Sequence, residues 1–208
     1  MNANEVMLIS PIVPVIAIDD IKDSLPLAKA LSKGGINIME ITLRTPNAFD
    51  AIKLISKELP SMNVGAGTVC NKQDLIKAKK AGAKFIFSPG ISQELIDTAK
   101  IENISLIPGV STASEVMLAQ NNHINHCKLF PATLSGGVDL LKAFNGPFNK
   151  MFFCPTGGVN KENLKDFLAL NNVLCVGGTW MVPKDMIKEG NFGKITELCI
   201  EALKIVKG

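Results

Sequence analysis

Three charged side chains stand inside segments that otherwise predict buried β-strands. Lys128 interrupts the apolar run in "HCKLFPAT" (126–133), and Glu40 and Arg44 lie in "NIMEITLR" (37–44). A charged group is seldom buried fully in a protein without a partner or a function, because its desolvation is costly. These three residues are therefore the first candidates for a functional site.

Alternation along the strands predicts which way these side chains point. Glu40, Thr42 and Arg44 share one face of their strand, with same-face residues about 6.6 Å apart, and Lys128 shares a face with Phe130. If the two strands are the second and sixth of a barrel, both are even-numbered and lie opposite each other, and alternate strands supply one interior layer. We therefore expect Glu40 and Lys128 to meet near the barrel axis.

This set of groups suits one kind of chemistry. Burial and the nearby Arg44 would favour an uncharged Lys128 amine, which can attack a carbonyl to form a Schiff base. Glu40 can transfer protons, and the planar guanidinium of Arg44 suits a carboxylate. The set predicts a site for an α-keto acid. The alternative is a buried ion pair with a structural role, although such pairs stabilise a core poorly.

Two glycine pairs end the last predicted strands. They are Gly157 and Gly158 in "CPTGGVNKEN", followed by Asn160 as a candidate helix N-cap, and Gly177 and Gly178 in "CVGGTW". Exposed backbone N–H groups and a helix N-terminus favour anions, and barrels often bind phosphate after strands seven and eight. We expect both loops to hold a phosphate.

Two further turns adjoin the predicted site. Thr68 ends "VGAGTV" on the face opposite Gly65 and Gly67, where its hydroxyl could donate to a substrate carboxylate or hydroxyl. The glycines themselves could serve only tight packing. "FSPG" (87–90) is typical of a turn, and Pro89 could form part of a pocket rim.

The order of elements predicts an α/β fold. Eight strands alternate with helices, which favours a (β/α)₈ TIM barrel formed by residues 1–208 as a single compact domain. A doubly wound open sheet is the alternative, but no G-x-G-x-x-G follows the first strand. The predicted strands are 12–18, 38–43, 62–69, 84–89, 105–110, 126–132, 151–156 and 173–177, and the predicted helices are 21–33, 46–58, 71–80, 91–100, 111–121, 137–144, 160–169 and 192–206.

Composition excludes several classes of function. The net charge of +3 is too small to argue for nucleic acid or an anionic membrane, and no apolar run is long enough to span a bilayer. The five cysteines lack a C-x-x-C pair and are typical of reduced thiols in a cytoplasmic protein. His123 and His126 have no acidic or cysteine partner at ligand spacing, so we expect no metal site.

The sequence resembles the bacterial 2-keto-3-deoxy-6-phosphogluconate aldolase / 4-hydroxy-2-oxoglutarate aldolase family over nearly its whole length. The resemblance rests on an ordered set of motifs, each weak alone but specific together: "PIVPVI", "EITLRT", "GAGTV", "SPG", "IPGVST", "KLFPA", "CPTGG" and "GGTWMVP".

The resemblance implies the roles of the site residues. Lys128 would be the Schiff-base lysine and Glu40 the proton-transferring carboxylate. The pyruvyl part of the substrate would be surrounded by Arg44, Thr68, Pro89 and Phe130, and the phosphate held by Gly157, Gly158, Gly177, Gly178 and Thr179. It also implies a metal-independent, cofactor-free, cytoplasmic enzyme, usually a homotrimer, whose partner is a small keto-acid phosphate.

Two positions depart from the family pattern. Thr133 follows "FPA" where many members have an acidic residue, and Thr179 stands where members often have serine. Acceptor preference therefore stays open among the phosphogluconate, phosphogalactonate and 4-hydroxy-2-oxoglutarate substrates. A phosphate-binding barrel isomerase or synthase without a covalent intermediate, and a non-catalytic sugar-phosphate-binding protein, are further alternatives.

Overall fold

Parallel strands form the centre of the molecule. The structure is a computed structural model that describes residues 1–207. Within that range the strands are β1 (Ile12–Ile16), β2 (Ile38–Thr42), β3 (Asn63–Gly67), β4 (Phe85–Phe87), β5 (Ser105–Ile107), β6 (Gly109–Val110), β7 (His126–Leu129), β8 (Phe152–Pro155) and β9 (Val176–Gly178).

Helices follow most of the strands. They are α1 (Ala3–Met7), α2 (Ser24–Lys33), α3 (Ala48–Glu58), α4 (Lys72–Ala81), α5 (Gln93–Ile101), α6 (Ala113–Asn121), α7 (Gly137–Asn145), α8 (Leu164–Leu168), α9 (Lys184–Lys188) and α10 (Phe192–Lys207), with a 3₁₀ turn at Ile21–Asp23. Asn71, Ser92 and Thr112 cap α4, α5 and α6, each accepting a hydrogen bond from a backbone N–H in the first turn. None of the helices in residues 1–207 has the length and apolar character needed to cross a membrane.

The strands form two parallel sheets. One has the order β5-β4-β3-β2-β1-β9 and the other the order β6-β7-β8. Two isolated bridges, Phe153 with Val173 and Thr156 with Gly177, connect the β8 segment to the β9 segment. The fold is therefore α/β with a curled arrangement of parallel strands, which confirms the predicted fold class at that level.

One predicted strand is interrupted. The segment 105–110 forms β5 and β6, separated by Pro108. Proline has no N–H to donate to a neighbouring strand, but its carbonyl accepts a hydrogen bond of 2.8 Å from the Lys128 N–H. The interruption therefore marks the point where pairing passes from β4 to β7.

The short helices were not predicted correctly. Both α1 and α9 are absent from the prediction, and α8 begins at Leu164 rather than at residue 160. Five-residue helices are too short to show a helical period in the sequence. α1 is nevertheless anchored, because Asn2 and Glu5 form a capping box and Val6 and Met7 are buried.

Candidate active site

A buried ion pair lies at the centre of the site. Lys128 Nζ is 3.1 Å from Glu40 Oε1 and 3.4 Å from Oε2. The two side chains are 5% and 2% exposed. Within residues 1–207 they are the only Asp, Glu, Lys or Arg residues that are buried. The structure thus brings together the two groups that strand alternation placed on facing walls.

Aromatic rings surround the amine. Lys128 Nζ lies 5.3 Å from the ring centroids of both Phe87 and Phe130. Ring faces attract a cation, and the rings also exclude water from the amine. Phe130 was expected here, whereas Phe87 was missed because the three-residue strand β4 shows too little alternation to assign its interior face.

Two glycines make room for the carboxylate. Gly65 and Gly67 of β3 pair in register with Glu40 and Thr42 of β2, and so face the interior. A Cβ on Gly67 would overlap the Glu40 carboxylate, and one on Gly65 would overlap the ring of Phe85. The packing role that the sequence left open for these glycines is therefore present in the structure.

Arg44 lies beyond the carboxyl end of β2. It is exposed, and its Nε donates a hydrogen bond of 3.0 Å to Thr68 Oγ1. Within residues 1–207 its two Nη groups have no hydrogen-bond partner, so they remain available to a carboxylate. Thr68 has φ +60°, which is rare for a β-branched residue. Because β3 ends at Gly67, the alternation along the strand does not determine the orientation of Thr68.

Side chains at and after the end of β2 connect it to the end of β1 and the segment that follows. Thr42 Oγ1 donates to the Ile16 carbonyl at 3.0 Å and Thr45 Oγ1 to the Ile18 carbonyl at 2.6 Å. These bonds to Ile16 and Ile18 restrict the backbone on either side of Arg44. The fold therefore sets the point from which the Arg44 side chain extends.

The backbone of Pro89 packs against Gly109, the residue of β6 that pairs with Lys128. Ser88 Oγ donates a 2.6 Å hydrogen bond to the Gly90 carbonyl, which holds the turn. A Cβ on Gly109 would overlap the Pro89 carbonyl, and Gly109 pairs in register with Lys128. The turn after β4 thus packs against the strand beside the amine.

The two glycine pairs lie side by side but differ in conformation. Gly157 and Gly158 have φ of +95° and +81°, in the left-handed region that favours glycine. Gly177 and Gly178 are the last two residues of β9, so the strand extends one residue beyond its predicted end and the following loop starts at Thr179. Thr179, directly after β9, is exposed at this edge.

Packing explains the second pair and corrects the expected helix start. A Cβ on Gly177 would overlap Thr156, and one on Gly178 would overlap the Trp180 ring. Asn160 Oδ1 accepts from the Glu162 and Asn163 N–H groups at 3.0 and 3.1 Å, in a turn before α8. Asn160 therefore caps this turn and not a helix that starts beside the glycines.

The thiols near the lysine are poor nucleophiles. Burial raises the pKa of the Cys127 thiol, next to Lys128 in sequence. A hydrogen bond with Cys154, together with burial, raises the pKa of Cys175. Both thiols therefore stay protonated near neutral pH. Among residues 1–207 no three His, Cys, Asp or Glu side chains are grouped as a metal site would require.

A cavity of about 270 Å³ opens at the carboxyl ends of the strands, lined by Thr42, Arg44 and Thr179 among others. A larger one of about 580 Å³ lies at the opposite ends, beside Ser105 and His123. Neither Glu40 nor Lys128 lines the smaller cavity, but Thr42 in its lining is the next residue after Glu40 on the same face of β2. We assign the mouth of the site to the smaller cavity because Arg44 lines it and β2 connects it to Glu40.

Comparison with known proteins shows the family of the chain. The family model for KDPG and KHG aldolase matches residues 3–198. The chain is 47% identical to 2-dehydro-3-deoxy-phosphogluconate aldolase of Dickeya dadantii, over 97% of this chain and 95% of that protein. It is 46% identical to KHG/KDPG aldolase of Escherichia coli, over 99% of this chain and 97% of that protein.

A solved structure is also closely similar. KDPG aldolase from Legionella pneumophila, with pyruvate captured at low pH as a covalent carbinolamine intermediate, superposes with a TM-score of 0.96 and 44% identity. The match covers 97% of this chain and 98% of that one. The buried lysine–carboxylate pair thus lies in a chain that belongs to the KDPG and KHG aldolase family.

Proposed function

We propose that the protein is a class I aldolase that cleaves 2-dehydro-3-deoxy-6-phosphogluconate into pyruvate and D-glyceraldehyde 3-phosphate. The observation that carries this proposal is the 3.1 Å contact between Lys128 Nζ and Glu40 Oε1 in a dry interior. An amine that forms an imine and a carboxylate that moves protons are the two groups such a cleavage requires.

The first half of the reaction forms the imine. The Lys128 amine gives up its proton, with Glu40 as the adjacent acceptor, and its lone pair attacks the C2 carbonyl to form a carbinolamine. Loss of the hydroxyl as water, with a proton delivered by the Glu40 carboxyl, leaves a protonated imine. The iminium is an electron sink, and it makes the next bond cleavage possible.

The second half cleaves the carbon–carbon bond. Glu40, directly or through a water, takes the proton of the C4 hydroxyl as the C3–C4 bond breaks. The bonding pair moves into the iminium and yields an enamine, while C4 leaves as the aldehyde of glyceraldehyde 3-phosphate. Protonation of the enamine at C3 and hydrolysis of the imine release pyruvate and restore Lys128.

Binding is divided between two sets of residues. Arg44, with Thr68 beside it, would hold the substrate carboxylate, while Pro89 and Phe130 would enclose the pyruvyl group. The phosphate would bind near Gly157, Gly158, Gly177, Gly178 and Thr179. The two positive φ values of the first glycine pair support this assignment, because such turns can expose backbone N–H groups to an anion.

Trapping with borohydride tests the covalent step. Reduction of the wild-type protein in the presence of pyruvate should leave a stable adduct on Lys128, located by peptide mass spectrometry. Lys142→Ala, a change of an exposed lysine on α7, is the matched control and should keep the adduct. Absence of any adduct on Lys128 would favour a non-covalent isomerase or synthase instead.

A second substrate has specific support. The E. coli relative bears the double name KHG/KDPG aldolase, so we propose that the same site also cleaves 4-hydroxy-2-oxoglutarate into pyruvate and glyoxylate. The values of kcat/KM for the phosphogluconate, phosphogalactonate and hydroxy-oxoglutarate substrates would rank the three. A phosphogalactonate value above the other two would assign the protein to that alternative.

We further propose that residues 1–208 form one domain and that its strands close as an eight-stranded (β/α)₈ barrel. β5 and β6 are separated only by Pro108 and count as one barrel strand, and bridges link the β8 and β9 segments. Thermal unfolding followed by circular dichroism and by tryptophan fluorescence should give one coincident transition. An experimental structure with an open β8–β9 edge would contradict closure.

We also propose a homotrimer in the cytoplasm, as the family resemblance implies. Sedimentation equilibrium should give a mass three times that of the 22.3-kDa chain. A monomeric mass at micromolar concentration would contradict this assembly, and fractionation of the source cells would test the location.

A further inference from the structure

Lys184 provides a second cationic side chain at the mouth of the candidate site. The cavity of about 270 Å³ has Arg44 and Lys184 in its lining together with the hydroxyl-bearing residues Thr42 and Thr179. The rest of the lining is mainly apolar and consists of Val15, Ile16, Ala17, Val182, Pro183 and Ile187. One cavity thus offers two positive charges and the hydroxyl of exposed Thr179, since the Thr42 hydroxyl is buried and donates to the Ile16 carbonyl.

The fold fixes Lys184 beside Thr179. The Val182 N–H donates to the Thr179 carbonyl at 3.0 Å and closes a turn after β9. Pro183 precedes α9, of which Lys184 is the first residue and Ile187 a buried one. The helix is therefore anchored with Lys184 on the cavity wall.

The order of the strands places Thr179 between two features, the turn at Gly157 and Gly158 on one side and Lys184 on the other. β9 pairs with β1, while a bridge from Thr156 connects it to the segment after β8. Gly157 lies on the β8 side, and Lys184 reaches Asp19, which lies beyond β1. Thr179 therefore lies between the glycine turn and the lysine.

The present partner of Lys184 holds it loosely. Its Nζ is 3.8 Å from Asp19 Oδ2, and the two side chains are 70% and 67% exposed. The neighbouring Asp20 is engaged at 2.9 Å by Lys22. Such an exposed pair contributes little to stability, so the ammonium can exchange Asp19 for a stronger anion.

We propose that Lys184 binds the terminal phosphate of the substrate and so determines preference for phosphorylated over unphosphorylated keto acids. The inference rests on the proposed aldolase function. Arg44 would hold the carboxylate at one end of the ligand, and Lys184 with Thr179 the phosphate at the other. A compact ammonium is suited to a phosphate as a point charge, and Asp19 is the anion that the phosphate replaces.

Paired substrates separate this role from a general effect on catalysis. 2-Dehydro-3-deoxygluconate has the same carbon chain as the proposed substrate but lacks the phosphate. Steady-state kinetics with both should be measured for the wild type, Lys184→Gln, Asp19→Asn and Lys188→Gln. Lys188 belongs to the same helix and is exposed but does not line this cavity, so its variant is the matched control.

The variants should act in opposite directions. Lys184→Gln should raise KM for the phosphorylated substrate about tenfold with little change in kcat, since a partly exposed charge-assisted contact is lost. It should leave kcat/KM for the unphosphorylated analogue unchanged. Asp19→Asn should lower KM for the phosphorylated substrate about twofold, because the competing anion is removed, and Lys188→Gln should change neither.

Equal losses for both substrates, or an unchanged KM in Lys184→Gln, would overturn the proposal. Inorganic phosphate tests the same contact without turnover: its dissociation constant, measured by calorimetry, should rise in Lys184→Gln and fall in Asp19→Asn. Equal phosphate binding by the wild type and Lys184→Gln would also overturn it. A wild type that binds phosphate but releases no pyruvate would instead contradict the aldolase function.

Discussion

Two lysine–carboxylate pairs of this protein have the same chemical composition and opposite surroundings. Lys128 and Glu40 lie 3.1 Å apart with side chains 5% and 2% exposed. Lys184 and Asp19 lie 3.8 Å apart and are about two-thirds exposed. Water screens the second pair and is almost absent from the first, so the attraction between the two charges is much stronger in the first pair.

This contrast separates the places suited to covalent chemistry from those suited to binding. A buried amine beside a carboxylate is placed for bond formation away from water, whereas an exposed amine is suited to attracting an anion. The proposed roles follow this division: Lys128 forms bonds to the substrate, and Lys184 selects it.

Removal of the buried lysine should have the largest effect. Lys128→Met should lower kcat by at least roughly 10⁴-fold, because no imine can form. It should also destabilise the fold by about 3–5 kcal/mol, since the Glu40 carboxylate is left buried without its partner. Pyruvate release assays and urea unfolding would measure the two effects.

The double variant Lys128→Met/Glu40→Gln is the control for that destabilisation. Replacing both members of a buried pair should restore much of the stability without restoring activity. A double variant as unstable as the single one would show that an unpaired carboxylate is not the cause.

Neutralising the buried carboxylate should have the next largest effect. Glu40→Gln should lower kcat about 10²- to 10³-fold, because proton transfer loses its general base while the amine stays in place. Borohydride reduction with pyruvate should still label Lys128, more slowly than in the wild type. Unchanged turnover would remove Glu40 from the mechanism, and complete loss of labelling would show that it is needed for imine formation itself.

Filling the space beneath the carboxylate should perturb the buried pair indirectly. A Cβ on Gly67 would overlap the Glu40 carboxylate, so Gly67→Ala should lower kcat about tenfold or more and destabilise the fold by about 1–3 kcal/mol. Gly193→Ala in α10 is the matched control, since a Cβ added there would meet nothing within 4 Å. Thermal unfolding and pyruvate release would test both variants, and equal behaviour would contradict the packing role.

The exposed pair should matter least to folding. Asp19→Asn/Lys184→Gln should change the free energy of unfolding by less than about 1 kcal/mol, and the change should shrink further at high salt, on the order of 0.5 M. Urea unfolding at two ionic strengths would measure it. A salt-independent loss as large as that of Lys128→Met would remove the distinction between the two pairs.

Much of the framework was predictable because hydrophobic alternation is local. The order of strands and the α/β class follow from where the apolar runs begin and end. The interior orientation of Glu40 and Lys128 follows from the two-residue period with which side chains alternate along a strand. The helices α1 and α9 were missed because five residues carry no readable period. The split at Pro108 was missed because its effect depends on which strands lie beside it.

The site was predictable to a smaller degree. Its charged residues stood out in apolar surroundings, but Phe87 and Lys184 did not, because a short strand and an exposed lysine look ordinary in sequence. The Gly177–Gly178 pair was predicted to end the last strand and to open a phosphate-binding loop, and both glycines lie within β9. A side chain at either glycine would overlap Thr156 or Trp180. These contacts exist only in the folded chain, so the sequence does not show them.

The amino-acid sequence alone indicated which groups could react. The chemical types of Lys128, Glu40 and Arg44, and their positions in the alternating pattern of their strands, can be read from it directly. Folding was needed to bring Lys128 and Glu40, 88 positions apart, within 3.1 Å of each other. Folding also placed Lys184 in the lining of the same cavity as Arg44. Burial and the distance between remote residues arise from strand pairing and packing across the whole domain, and no local pattern contains them.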